Sequence, residues 1–229
     1  MDRYQILTKI HESDSSLVYR AVDTLNNRPV VLKILKAEYP SPLAIARYKR
    51  EYEITRALDV DGAIKAYDLF PNRNTIAMVL EDFGGESLEV WLQSRSFLLA
   101  EALPLAVKIC GAIAQIHAAN IIHKDINPSN IVYNPQTGQV KLIDFGISTP
   151  FNRENPTLKN PNLLEGTLAY MSPEQTGRMN RFIDRSTDFY SFGATLYRLL
   201  TRKAPFVTDD LLELVHCHIA KPPIPPPAR

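Results

Sequence analysis

The stretch His123-Lys124-Asp125-Ile126-Asn127-Pro128-Ser129-Asn130 is followed, 14 positions after Asn130, by Asp144-Phe145-Gly146. It places one carboxylate, an amide five residues on, and a second carboxylate ahead of Phe-Gly. Asp125 can orient a hydroxyl and accept its proton, while Asn130 and Asp144 can offer oxygens to magnesium. Together these are the polar groups that phosphoryl transfer from ATP requires. Either fragment could arise by chance, but both in this order and at this separation are a strong signal.

Working outward, the first 80 residues are mostly strand-like. Tyr4 to Ile10 alternates, Leu17 to Val22 is β-rich, and Pro29 to Leu35 is a short apolar strand carrying Lys33. Asn26-Asn27 supplies the turn between the last two. Ser41-Pro42 has the form of a helix start, a serine cap with proline at the first helical position, and the helix runs to Leu58 with Glu51 on it. Strand-like runs follow at Ile64 to Phe70 and Thr75 to Glu81. Gly84-Gly85 is the candidate boundary between a sheet-rich lobe, residues 1–83, and a helical one, residues 84–229.

Beyond that boundary Leu103, Val107, Cys110, Ala114 and His117 recur at helical spacing, which predicts an amphipathic helix over 101–120 with that face inward. Asn134-Pro135-Gln136-Thr137-Gly138 is a turn between short strands at Ile131 to Tyr133 and Gln139 to Ile143. Residues 147–166 lack periodicity and read as a mobile loop. Phe189, Phe192, Gly193, Leu196 and Leu200 mark another helix. The end, residues 221–229, is mostly proline and reads as an extended connector.

At 229 residues the chain can bury a substantial core, and 45% hydrophobic with 22% charged residues is ordinary for a globular protein. The 26 basic and 25 acidic side chains leave a formal charge of +1, which argues against nucleic acid as a partner. Cys110 and Cys217 are far apart and read as reduced thiols. No apolar run approaches the ~20 residues of a membrane span. The start, Met1-Asp2-Arg3-Tyr4-Gln5, lacks the apolar core of a secretion signal, so a cytoplasmic location is expected.

From Tyr4 to about Pro227 the chain resembles a eukaryotic-type serine/threonine protein kinase domain. The resemblance rests on Val30-Val31-Leu32-Lys33, the two motifs quoted first, and Gly166-Thr167-Leu168-Ala169-Tyr170-Met171-Ser172-Pro173-Glu174. Glu81-Asp82-Phe83-Gly84-Gly85-Glu86-Ser87-Leu88, together with His123 to Asn130, resembles a bacterial subgroup. There the kinase is the first domain of a large signalling protein with an ATPase and a sensor histidine kinase, whose domains would be partners.

That resemblance implies an α+β bilobal fold, with a small antiparallel sheet in the first lobe and a mainly helical second lobe. It implies ATP and Mg²⁺ as cofactors and protein substrates as partners. Asp125 would be the catalytic base, Lys33 paired with Glu51 would hold the ATP phosphates, and Asn130 and Asp144 would ligate the metal. The adenine would lie under Val18, against the backbone carbonyl of Glu81 and the amide of Phe83, beside Leu80. His123 would be structural, stacked beneath Phe145, and Asp188 would tie the catalytic loop to a central helix. Pro128 and the Gly166 to Glu174 loop favour serine or threonine acceptors. A metal site at His216-Cys217-His218 is not expected, because residues two apart on a helix point in different directions.

Four departures bear on activity. The three glycine sites of the phosphate loop hold His11, Ser13 and Ser16, whose side chains obstruct the approach of backbone amides to phosphate, and Asp14 adds a negative charge. Asn127 replaces a lysine beside the transferred group, a loss of about 1.5–3 kcal/mol in charge-assisted contact. Lys124 replaces an arginine and lacks its bidentate fork, with Ser148, Thr149 and Thr157 as candidate phosphorylation sites. The family's last helices have no counterpart after Arg229, which predicts an incomplete second lobe, reduced stability, and a Glu174 left unpaired for want of its usual arginine. The leading expectation is an ATP-dependent protein serine/threonine kinase acting in signal transduction. The alternative is a pseudokinase-like docking module with weak or no catalysis.

Overall fold

A computed structural model describes residues 3–150, 167–179 and 181–226. Five strands, β1 (Tyr4–Glu12), β2 (Ser16–Asp23), β3 (Arg28–Leu35), β4 (Ala66–Asn72) and β5 (Thr75–Glu81), form one antiparallel sheet in the order β1-β2-β3-β5-β4. Strand alternation divides its residues between two faces. Val30, Leu32 and Ile34 pack with Tyr4, Ala21, Ala77 and Val79 on one side. Leu35, Ile76 and Met78 pack on the other side against Tyr48 of helix α1 (Pro42–Ala57). Lys33, one residue out of step with Leu32 and Ile34, therefore projects toward α1.

Ser41 caps α1 by accepting the Ala44 amide at 3.2 Å, with Pro42 opening the helix. Its buried residues are Tyr48, Glu51 and Thr55. That stripe is unusually polar, and Glu51 faces the sheet instead of water.

Between α1 and β4 the chain touches the helical part at Gly62, where an added Cβ would lie 2.5 Å from the Ala112 Cα. Only glycine fits so close an approach to helix α3 (Leu99–Ala118). The predicted strand at Ile64 to Phe70 begins two residues later. Ile64 is instead buried in the second core, its amide donating to the Leu142 carbonyl at 3.0 Å.

After Gly84, whose φ of 75° suits glycine, come β6 (Glu86–Ser87), α2 (Leu88–Ser94) and α3. Then follow β7 (Ile121–Ile122), β8 (Ile131–Asn134), β9 (Gln139–Leu142) and β10 (Thr149–Pro150). The described chain ends with α4 (Ser186–Thr201) and α5 (Leu211–Ala220). β6, β8 and β9 pair in one small sheet, β7 and β10 in another. A single large core joins Leu88 and Leu92 of α2, Ile109, Ile113 and Ile116 of α3, Ile131 and Leu142 of the small sheet, and Leu199 of α4.

α3 buries a different face from the one predicted. Ala102, Leu105, Ile109, Ala112, Ile113 and Ile116 point inward; of the predicted stripe His117 is buried, Cys110 is half-buried, and Leu103, Val107 and Ala114 are exposed. The helix is apolar nearly all round, so period alone could not choose its inner face. By length and composition it could also cross a membrane, yet here it supplies the centre of the core.

Candidate active site

Lys33 Nζ lies 2.6 Å from Glu51 Oε1 and 3.2 Å from Asp144 Oδ2. Tyr48 steadies the same strand by donating its hydroxyl to the Lys33 carbonyl. Burial opposes the Lys33 charge, but Asp144 and Glu51 outweigh it and raise the ammonium above its ordinary range. Burial pushes the Glu51 carboxyl up to about 6 despite the adjacent ammonium. Asp144 shows the opposite balance: packing around it favours the neutral acid, and Lys33 overrides that to lower its value.

The catalytic-loop stretch folds around internal hydrogen bonds. Asn130 donates its side-chain amide to the Asp125 carbonyl and to Asp125 Oδ2, both at 2.9 Å. Its amide nitrogen is thereby committed, which leaves its side-chain oxygen as the atom that could accept a cation. Asn127 is buried and donates to Asp125 Oδ1 at 3.0 Å and to Thr167 Oγ1 at 3.1 Å, while its oxygen accepts the Ser129 amide at 2.9 Å. The Thr167 amide donates to Asp125 Oδ1 at 3.0 Å. Three amides therefore fix the plane of the Asp125 carboxylate.

Beneath this loop Asp188, fully buried on α4, accepts the His123 amide at 2.9 Å and the Lys124 amide at 2.7 Å, with His117 Nε2 at 2.7 Å. Those two amides converge because Lys124 adopts φ 69°, a left-handed conformation that costs a non-glycine residue energy and persists only where its surroundings hold it. His123 accepts the Asp125 amide at Nδ1 and meets the Ile143 carbonyl through Nε2 at 3.0 Å, which assigns the Nε2–H tautomer. Its ring centroid is 4.9 Å from that of Phe145 at 56°, so the predicted stacking is a tilted packing. Asp144 is also left-handed, φ 64°, and this turn aims its carboxylate at Lys33.

Val18 is the cross-strand neighbour of Lys33, and Glu81 closes β5 opposite Val30. Phe83 follows in the connection, its carbonyl accepting from Asn134 Nδ2 at 2.6 Å. The Glu81 carboxylate turns away from the cleft to buried Lys141, at 2.9 Å. Two hard oxygen donors, Asn130 and Asp144, are few for a metal held by protein alone. They suit Mg²⁺, which keeps waters and substrate phosphates as its remaining ligands.

A model of the protein kinase domain matches residues 4–223. The chain belongs to the protein kinase family. A probable serine/threonine-protein kinase of Streptomyces coelicolor is 32% identical over 98% of this chain and 34% of its own length. The serine/threonine-protein kinase PrkC of Bacillus subtilis is 32% identical over 95% of this chain and 33% of its own. PknA of Mycobacterium tuberculosis is also 32% identical, over 98% of this chain and 53% of its own. The chain thus spans about a third of the length of the first two and half of the third.

Several expectations need correction for this kinase domain. Ser148 and Thr149 are buried, the Ser148 hydroxyl donating to the His123 carbonyl at 3.0 Å, so neither is accessible for phosphorylation in this conformation. Thr157 and most of the predicted 147–166 loop lie outside the described residues. Glu174 is not left without a partner: it is buried and accepts the Thr187 hydroxyl at 2.7 Å. Ser172, in place of the usual alanine, joins the same polar cluster through Gln175 and Thr187. Cys110 and Cys217 are both free. His218 is bonded to the Tyr190 hydroxyl, and no metal-ligand cluster is found among the described residues.

Sequence reasoning missed Lys141 and Thr167. Lys141 carried a usable signal, a lysine between Val140 and Leu142 in a short apolar strand, where burial demands a counter-charge. Thr167 lies in the quoted 166–174 motif, but nothing local in it announces the contact with Asp125, which joins residues 42 apart in the chain.

Proposed function

We propose that this domain transfers the γ-phosphoryl group of Mg-ATP to serine or threonine hydroxyls of proteins. The observation that carries the reading is the constellation of Lys33, Glu51 and Asp144 within 3.2 Å, alongside an Asp125 carboxylate oriented by Asn127, Asn130 and Thr167. In it Lys33, held by Glu51, meets the α- and β-phosphates, and the backbone of Glu81 and Phe83 receives the adenine under Val18. Asn130 and Asp144 would hold Mg²⁺, which when bound neutralises charge on the phosphates. Asp125 accepts the hydroxyl proton as the acceptor oxygen bonds the γ-phosphorus and the bond to the β-phosphate oxygen breaks, leaving ADP.

Residues 1–83 form the nucleotide lobe in this reading and residues 84–229 the substrate lobe. The domain's setting is a larger cytoplasmic signalling protein with ATPase and histidine-kinase domains, a placement that rests on the 81–88 and 123–130 motifs. A non-catalytic docking role is the second reading, favoured by the glycine-free loop at His11, Ser13 and Ser16. Labelled ATP with a generic protein substrate separates the two. Incorporation into serine or threonine that disappears in Lys33→Met supports transfer, and label that persists unchanged in that variant sinks it.

A further inference from the structure

The turn between β1 and β2 satisfies itself. The Ser13 hydroxyl accepts the Ser16 amide at 3.0 Å and the Ser15 amide at 3.3 Å, and lies 3.1 Å from the Ser16 hydroxyl. The Ser13 amide closes the turn on the Ser16 carbonyl at 2.9 Å. These amides follow the second of the three former glycine sites. In a phosphate-binding loop, consecutive backbone amides of this kind are the groups that take phosphate oxygens. The register of β2 on β3 sets Ser16 opposite Leu35 and Val18 opposite Lys33, so the turn overhangs the end of the cleft where Lys33 would meet phosphate.

The turn is also pinned from outside. Glu12 bridges two lysines, with Lys36 Nζ at 2.6 Å on one oxygen and Lys9 Nζ at 2.8 Å on the other. The Lys36 amide donates to the Ser15 carbonyl at 2.8 Å. Hydrogen bonds from Lys36 and Lys9 hold the Glu12 carboxyl down at about 2, so the bridge is charged throughout the working pH range.

We propose that Ser13 sets nucleotide affinity: its hydroxyl occupies the Ser15 and Ser16 amides in the place of a phosphate oxygen, and a nucleotide gains those amides only by displacing it. A glycine at this site offers no such competitor. This rests on the phosphotransfer reading above and deepens it by naming a residue that weakens the phosphate subsite.

The test is calorimetric binding of Mg-ADP and of adenosine to the wild-type protein, Ser13→Ala, Ser13→Thr and, outside the turn, Thr8→Ala on the exposed face of β1. Losing two neutral hydrogen bonds from the competitor tightens Mg-ADP about fivefold in Ser13→Ala. Ser13→Thr restores the wild-type affinity, Thr8→Ala leaves it within about twofold, and adenosine binds all four alike because it has no phosphate. Without nucleotide, the Ser15 and Ser16 amides of Ser13→Ala exchange faster with solvent. Unchanged or weaker Mg-ADP binding by Ser13→Ala, or an equal gain for adenosine, overturns the inference and leaves the kinase reading standing. Absence of Mg-ADP binding in all four overturns both.

Discussion

Lys33 and Glu51, on β3 and α1, form a 2.6 Å ion pair that is nearly withdrawn from water, at 12% and 8% side-chain exposure. A pair so buried is costly to break from one side, because the surviving charge loses its partner. Lys33→Met removes the ammonium that would meet phosphate, and phosphoryl transfer falls about a hundredfold or more, the scale of losing one preorganised donor to developing charge. Steady-state label transfer measures it.

The same pair gives a pH signature. Glu51 titrates at about 6 against an ordinary 4.5, so folding favours its protonated form. That contribution to stability, about 2 kcal/mol, is complete below about pH 4.5 and lost as pH rises through about 6. The charged pair needed for function forms over the same rise. Denaturant titrations between pH 4 and 7 detect the slope, and Glu51→Gln removes it. Mg-ADP affinity in the wild-type protein climbs through about pH 6.

Lys141 and Glu81 join the small sheet to the end of β5 at 2.9 Å, and Lys141 is almost fully buried. Glu81→Gln alone leaves that ammonium without its charge partner and destabilises by about 3 kcal/mol. Adding Lys141→Met recovers most of the loss. Urea unfolding of both singles and the double mutant gives the coupling, and simple additivity contradicts the pairing.

Asn127 donates to Asp125 and Thr167 where the family usually has a lysine. Asn127→Ala removes one of the three amides on the Asp125 carboxylate and leaves the Ser129 amide without its acceptor, at about 1–3 kcal/mol in stability. The kcat falls about tenfold or more while Mg-ADP affinity changes less, since the Asn127 side chain touches Asn130 only at its backbone amide, at 3.3 Å. An equal loss in both would contradict a positioning role.

Where sequence was legible, one local rule acted alone. β5 has the bounds its strand-like run predicts, Thr75 to Glu81, and α1 starts where Ser41-Pro42 says it must. Asp125, Asn130 and Asp144 were readable because fixed spacings in two short motifs carry them, and Lys33 because it interrupts an apolar strand, with Glu51 eighteen residues on as its partner. Reading failed where tertiary packing decides among local equals. Leu103 and Val107 match helical period as well as Leu105 and Ile109, and the inner face is chosen by distant partners such as Gly62, Leu88, Leu142 and Leu199. Ile64 is apolar like a strand residue but fills the second core. The Ser13 cap depends on backbone geometry that three serines and an aspartate do not announce.

Single-turnover phosphoryl transfer by Asp125→Asn, with Mg-ADP affinity measured on the same sample, is the most direct test. The substitution keeps the size of the side chain and the bond from Asn130 to the backbone carbonyl of residue 125, but it replaces one carboxylate oxygen by an NH2 and removes the proton acceptor. Transfer is expected to fall by about a hundredfold or more with nucleotide affinity within about twofold of wild type. Transfer by Asp125→Asn at the wild-type rate would contradict Asp125 as the base and, with it, the phosphotransfer reading of this site.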